Sequence, residues 1–457
     1  MYLIRFLLVL TLFAASLSAQ AAGMVVHALM ADYGRQHLPS AHPLKRILDQ
    51  HRPALLAGAL YPDGGYATGA LFPGDRDVAE NAHWEYFVNP LMQLLHERGC
   101  AAAVGADVPV PVIGGTIDFL VDLQQAEVPL ADIRRSDSCG SLVAFAMGIA
   151  AHGMGDEVWD ALFEPVVRER GEHIGNSPAN TLDTFPPGAD TSVGQILRGI
   201  IGDAPFDVLA QAFDPLSLNS IEYAMDVMAI FEHDLWLQIP FLEFPPDAVL
   251  VEAYARTGRN DPAVTAFAVQ RAALATRTLV LAERAAAVVE MPRVRQHMPW
   301  ASANYYTGQG GVLHTGEMIT GYYLHLWDKL AQGLDGARGP RVVGLYPHHG
   351  AADVPYAPTA EHSVIAFLSG AVDRASTEAP GAIVVFDETG TIVPGAANRF
   401  GYRGDGAHGL SYGFDVALKP DHEYTVVVTT RVRDSLGRPL QRPRLWRFTT
   451  APAANGP

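Results

Sequence analysis

The run SLVAFAMGIAAHGMGDEVW at 141–159 limits what this chain can fold into more than any other feature. Its first eleven residues are apolar on every side, so a helix there must be surrounded by protein. At this length it does not span a bilayer, which leaves the core of an all-α domain. The same helix then delivers His152 and Asp156, four residues apart and so on one face, with Asp160 a turn later. A buried imidazole and carboxylate are costly unless paired, and a divalent cation suits both. On this helix alone, a His–Asp hydrogen bond plugging the core is an equally good reading.

The helical pattern extends from about residue 22 to 332. It includes an Ala-rich stretch at 262–291 and an amphipathic stripe at 316–330, with loop signals PPGAD at 186–190 and FPP at 244–246. GLDGARGP at 333–340 reads as a linker, and beyond it the hydrophobic period falls to two. AIVVF (382–386), YTVVV (424–428) and LWRFT (445–449) are short strands between turn signals, as in a β-sandwich. Tyr424 reads either as a corner tyrosine tied back to the backbone or as an ordinary inward strand residue.

The first 21 residues read as a signal peptide: Arg5, an apolar run over 6–17, then Ala19-Gln20-Ala21. The expected organisation is therefore a signal peptide (1–21), a helical domain (22–333), a sandwich (340–450) and a flexible tail (451–457). The mature chain is expected to be secreted or periplasmic, with no transmembrane segment. In an oxidising compartment Cys100 and Cys139 either pair or stay as two buried thiols. The formal charge of −17, from 49 acidic and 32 basic residues, disfavours a nucleic-acid partner and is compatible with holding cations.

Three further positions carry chemistry. Asp63 follows Pro62 in LAGALYPDGGY, where the apolar run is expected to break and release a carboxylate beside flexible glycines. His83 precedes an aromatic in NAHWEYF, and His27 lies in MVVHALM. Singly, a turn former, a core histidine and a surface histidine explain them better.

Together, His27, the G-x-x-x-P-D ending at Asp63, the His-Trp pair at 83–84 and the H-x-x-x-D at 152–156 resemble, in order and separation, the zinc-dependent phospholipase C family. Within it, the likeness is greatest to the amino-terminal domain of glycosylphosphatidylinositol-specific phospholipase D. It is clear over 22–172 and faint from there to about 333. The resemblance implies an all-α phospholipase C/nuclease-like helical domain holding two or three zinc ions. Asp63, His83, His152 and Asp156 would hold one ion, with Asp156 bridging, and His27 would serve a second. For a third ion the family offers a further His and a later H-x-x-x-E. Here the corresponding residues are Asp160, Glu222 and Asp226, an all-oxygen set that suits Mg²⁺, Ca²⁺ or Mn²⁺ better than zinc, or stays empty. An exposed helix face accounts equally well for Glu222 and Asp226.

The β-rich end resembles a bacterial Ig-like domain of envelope proteins, through VVGLYPHHGAADVPYAPTAEHSVIAFLSGAVD and the closing YTVVVTTRVRDSLGRPL and WRFTT. His348 and His349 are given no chemistry.

The function so implied is an exported phosphodiesterase that cleaves phospholipid or glycolipid phosphodiesters with a metal-bound hydroxide, Asp63 acting as ligand and general base. The sequence does not distinguish C-type from D-type cleavage. Tyr61, Tyr66, Trp84 and Trp159 either line a lipid pocket or pack the core. Two other readings stand beside it: a non-catalytic envelope or adhesion module whose Ig-like domain binds a partner, and a zinc-dependent single-strand nuclease.

Overall fold

A computed structural model describes residues 23–69, 72, 74–103, 134–172, 218–233, 242–259, 264–356, 364–397 and 406–453. The expected signal peptide (1–21), the interruption at 186–190 and residues 454–457 of the tail lie outside them. The helical part comprises α1 (Met24–Gln36), α2 (Pro43–Gln50), α3 (Arg52–Gly69), α4 (Asp75–Ala82), α5 (Glu85–Glu97) and α6 (Cys100–Ala103). After a short strand β1 (Arg134–Arg135) follow α7 (Cys139–Leu162), α8 (Glu164–Glu169) and α9 (Leu218–Glu232). Strand β2 (Glu243–Phe244) pairs in parallel with β1 and leads to α10 (Asp247–Ala255), α11 (Ala266–His297), α12 (Pro299–Asn304) and α13 (Val312–Gly336).

The apolar run forms the centre, as its composition requires. Ser138 starts α7 by accepting a hydrogen bond from the Ser141 N–H at 3.3 Å. Pro165, lacking an N–H, begins a new helix after the turn at Phe163. Around α7 pack α1, α3, α5 and α13. Helices α3 and α7 cross at Gly58 and Gly148, where backbone meets backbone: a Cβ on Gly148 would run into the Leu55 carbonyl, and one on Gly58 into the Phe145 carbonyl. The first helix is enclosed by the last, with the Tyr323 hydroxyl donating to the Ala31 carbonyl at 3.1 Å.

One local expectation is corrected. The chain does not break at Pro62, because α3 continues to Gly69 and Asp63 stays on the helix. A proline inside a helix costs about 3 kcal/mol, and here full burial of Leu60 and Tyr61 offsets it. Gly64 and Gly65 serve close packing rather than a turn, against Thr276 and Ala272 of α11 and the Asp75 carbonyl.

Cys100 and Cys139 form a disulfide across 39 residues, tying α6 to the start of α7. Closing a loop of this length contributes about 4 kcal/mol in the chain-entropy model. A Cys100→Ser/Cys139→Ser variant should lose stability of that order in denaturant unfolding. A loss below about 1 kcal/mol would show that the loop is already restrained in the unfolded chain.

Asp32 on α1 is buried between Arg52, 2.7 Å away, and Arg35, 2.8 Å away. Burial raises its pKa, but the hydrogen bonds and charges of Arg52 and Arg35 outweigh burial and bring it to about 2. A depressed carboxyl stabilises the fold above its unfolded pKa of about 3.9 and loses that contribution as pH falls towards 2. Asp32→Asn should therefore cost about 2 kcal/mol at neutral pH and flatten the loss of stability between pH 4 and 2. An unaltered acid-unfolding profile would contradict this.

Beyond Gly333, whose φ of 73° ends the regular helix, the chain forms a β-sandwich. One sheet has the order β4 (Ala351–Val354), β10 (Arg444–Thr450), β9 (Glu423–Val428), β6 (Ile383–Asp387). The other runs β3 (Val342–Tyr346), β5 (Val364–Leu368), β8 (Gly409–Phe414), β7 (Gly395–Ala397). The hydroxyl of Tyr424 accepts from the Lys419 N–H at 2.7 Å, which makes it the corner tyrosine. His348 and His349 are exposed.

In the second sheet, β5 and β8 are buried along their whole length. On β5, Val364, Ala366 and Leu368 point into the sandwich, whereas Ile365 and Phe367 join the core of the helical domain. Among the described residues, no helix is long and apolar enough to cross a membrane.

Candidate metal centre

Five of the residues singled out in the sequence converge between α1, α3, α7 and the turn after α4. His152 sits fully buried on α7, and its Nδ1 lies 2.7 Å from the Ala59 carbonyl, a contact that the glycine crossing of α3 and α7 permits. His83 follows α4, and its Nδ1 lies 2.7 Å from the Ala79 carbonyl. A carbonyl accepts only, so each ring donates from Nδ1 and turns Nε2 towards the other side chains. These two Nε2 atoms are 3.0 Å apart. Asp63 Oδ1, buried and without a hydrogen bond, lies 3.6 Å from His83 Nε2 and 3.7 Å from His152 Nε2. Asp156 Oδ2 lies 3.5 Å and 3.3 Å from the same two atoms.

These five separations form two triangles on the edge between the two Nε2 atoms, one completed by Asp63 and the other by Asp156. Ligands about 2.0–2.1 Å from a tetrahedral zinc ion stand roughly 3.3 Å from one another, in the middle of the observed 3.0–3.7 Å. Two imidazole Nε2 atoms and two carboxylates grouped in this way fit a divalent cation, which would take the place of a proton on Nε2.

His27 extends the cluster. Its ring stacks on His152 with centroids 3.8 Å apart, and its Nε2 lies 2.9 Å from Asp156 Oδ1 without the angle of a hydrogen bond. The site needs Gly155, because a Cβ there would press on the His27 ring. Asp156 thus turns one oxygen to each side, as a bridging carboxylate does. Burial raises its pKa, but His152 and His27 outweigh that and hold it far below the carboxylate range. For His83, burial is outweighed by Asp63 and Asp156, and the ring is carried up to about 9. His152 is pushed down by burial and by His27.

A second acidic group lies further along α7. Ligand atoms of Asp160, Glu164 and Glu222 fall within 4.8 Å of one another. Burial and the neighbouring carboxylates raise Asp160 and Glu222 well above their usual range, and Glu164 to about 7. Glu164 takes the place expected for Asp226. The sequence carried the signal, since His152, Asp156, Asp160 and Glu164 recur at four-residue intervals. Asp226 is buried elsewhere: its Oδ1 accepts the Val26 N–H at 2.8 Å, capping the start of α1. Glu222 and Asp226 are both buried rather than on an exposed face.

Of the four aromatics, Tyr61 and Trp159 are core residues. Tyr66 lies against His83, ring centroids 5.2 Å apart, and donates to Glu80 at 2.6 Å. Glu80 also accepts from the Trp84 indole at 2.9 Å, so one carboxylate fixes both rings at the rim.

Fold and site together define a helical domain with a buried two-histidine, two-carboxylate centre, joined to an all-β domain. Residues 337–450 match the bacterial Ig-like domain family, which accounts for the second part. No curated protein matches the chain. Among solved structures, CopC from Methylosinus trichosporium OB3b is 18% identical over 26% of this chain and 99% of that one, with a TM-score of 0.19. The surface layer protein SbsC, domains 1–6, is 13% identical over 88% of this chain and 46% of that one, with a TM-score of 0.20. Likenesses this low bear on neither fold nor function.

Proposed function

We propose that this chain is an exported, metal-dependent phosphodiesterase acting on phospholipid or glycolipid phosphodiesters. The observation that carries the reading is the convergence of Asp63, His83, His152 and Asp156, with His27 beyond the carboxylate of Asp156. Zinc ions held by these residues would polarise phosphate oxygens and lower the pKa of bound water. The chain's own part is orientation. The Ala59 and Ala79 carbonyls hold Nδ1 of both rings, and Asp156 divides its oxygens between the two sides. The Asp63 oxygen that faces the rings is buried, which suits a ligand, and the base role is assigned to it by resemblance alone.

Among the described residues, His27, His152 and Asp156 form a second group of possible ligands beside Asp63, His83 and His152. The disulfide supports export, since such bonds persist in oxidising compartments.

The test is zinc content of the purified mature chain, followed by hydrolysis of phosphatidylcholine vesicles beside single-stranded DNA. Lipid turnover that chelator abolishes and zinc restores supports the reading, and headgroup analysis distinguishes C-type from D-type products. DNA turnover alone would favour the nuclease, and bound zinc with neither activity the non-catalytic envelope module. The acidic group is read as a third, harder site for Mg²⁺, Ca²⁺ or Mn²⁺. Glu164→Gln should weaken Mn²⁺ uptake and Asp226→Asn should not; the reverse would put the third site at α1.

A further inference from the structure

The Ig-like domain meets the helical domain at the residues that flank the metal ligands. Glu157, next to Asp156, is 1% exposed and points away from the centre. Its carboxylate accepts the backbone N–H of His408 at 2.7 Å and of Gly409 at 3.0 Å. Glu85, two residues after His83, accepts from the Ala371 backbone N–H and from the fully buried Lys329. Lys329 also donates to Asn89 at 2.9 Å. Gly406, at φ 103°, seats the same loop on Trp84: a Cβ there would meet the Trp84 Cβ at 3.0 Å and the Glu85 nitrogen at 3.3 Å. Two buried carboxyl groups with backbone partners from another domain are not what a freely tethered adhesion module presents. Such groups are costly to bury and costlier to leave unpaired.

From this contact, and resting on the reading of a metal centre, we infer that the Ig-like domain is the outer support of that centre. Glu157 and Glu85 are positioning residues through which residues 371 and 406–409 hold the Asp156 and His83 backbone in register. Successive helix side chains diverge by about 100°, so fixing Glu157 on one side of α7 fixes the azimuth of Asp156 on the other. The His83–Trp84 corner is pinned from both sides. Gly153 of α7 lies directly beneath the His83 carbonyl, and Gly406 lies above Trp84. Ligation and domain docking are then linked equilibria, and each must strengthen the other by the same factor.

The experiment uses the full-length mature chain with cobalt(II) as a spectroscopic probe. In the unmodified protein, adding cobalt should slow amide hydrogen exchange over 406–414, far from any ligand atom in sequence. Glu157→Ala, which removes the acceptor of both N–H groups, should weaken cobalt binding by about 10–100-fold and alter the ligand-field spectrum. Its far-UV circular dichroism should be unchanged. Gly406→Val, which would press on the Trp84–Glu85 corner from the Ig-like side, should act in the same direction. If exchange over 406–414 is indifferent to cobalt and both variants titrate like the parent, the inference is wrong while the metal centre stands. If the parent takes up no cobalt, the metal reading fails and the inference with it. Should either variant fail to fold, exchange in the parent decides.

Discussion

His152→Ala is expected to lose most of the bound zinc, dropping from about two ions per chain to less than one, with phosphodiester hydrolysis lost alongside. His152 is shared by both halves of the centre: its Nε2 faces Asp63, His83 and Asp156, and its ring supports His27. Removing it takes one Nε2 from the group and takes away the surface on which the His27 ring rests. The thermal response separates this from simple destabilisation. Zinc at 1,000 times its dissociation constant adds about 4 kcal/mol to the parent, and the variant should show almost none of that gain, whatever its stability without metal. His349→Ala, at an exposed position, is the matched control and should behave as the parent. A parent with no zinc and no zinc-dependent melting shift would sink the hydrolase reading.

Gly148→Val should be more damaging to the fold than any change of ligand. At this crossing the Leu55 carbonyl and the Ala59 nitrogen occupy the space that a side chain would need. Backbone cannot rotate aside as a side chain can, so α3 and α7 would have to separate along their length. The loss should exceed about 5 kcal/mol, at the upper end for single substitutions, and leave little folded chain at 37 °C. Separation would also withdraw the Ala59 carbonyl from His152 Nδ1, freeing that ring to turn. Soluble expression, circular dichroism and zinc content would check all three consequences. A folded variant with parental zinc would mean that the two helices are less tightly apposed than the glycines imply.

How much of this was legible beforehand depended on the kind of signal. The apolar run at 141–151 could only be a buried helix, and it is one. The His152–Asp156 spacing could only place both groups on one face. His27, Asp63 and His83 were ambiguous singly, because what joins them is tertiary: a glycine crossing and two carbonyls that lie outside any motif. Pro62-Asp63-Gly64-Gly65 misled for a related reason. Its composition is that of a turn, but the glycines were answering to Thr276 and Asp75, far away in sequence. Glu164 was missed although the four-residue period pointed to it; it lies past the end of α7, at the start of α8. The clamp on Glu157 and Glu85 had no sequence signal, because its donors are backbone amides.

The enclosure of α1 by α13 has a consequence for timing. The hydrogen bond from Tyr323 to the Ala31 carbonyl joins residues 292 apart. At about 5–20 residues per second, α1 leaves the ribosome roughly 15–60 seconds before the helix that closes over it. Throughout that interval the face of α1 that α13 covers has no partner. The helical domain therefore cannot close over α1 until α13 has been made. The helix made first is the one enclosed last.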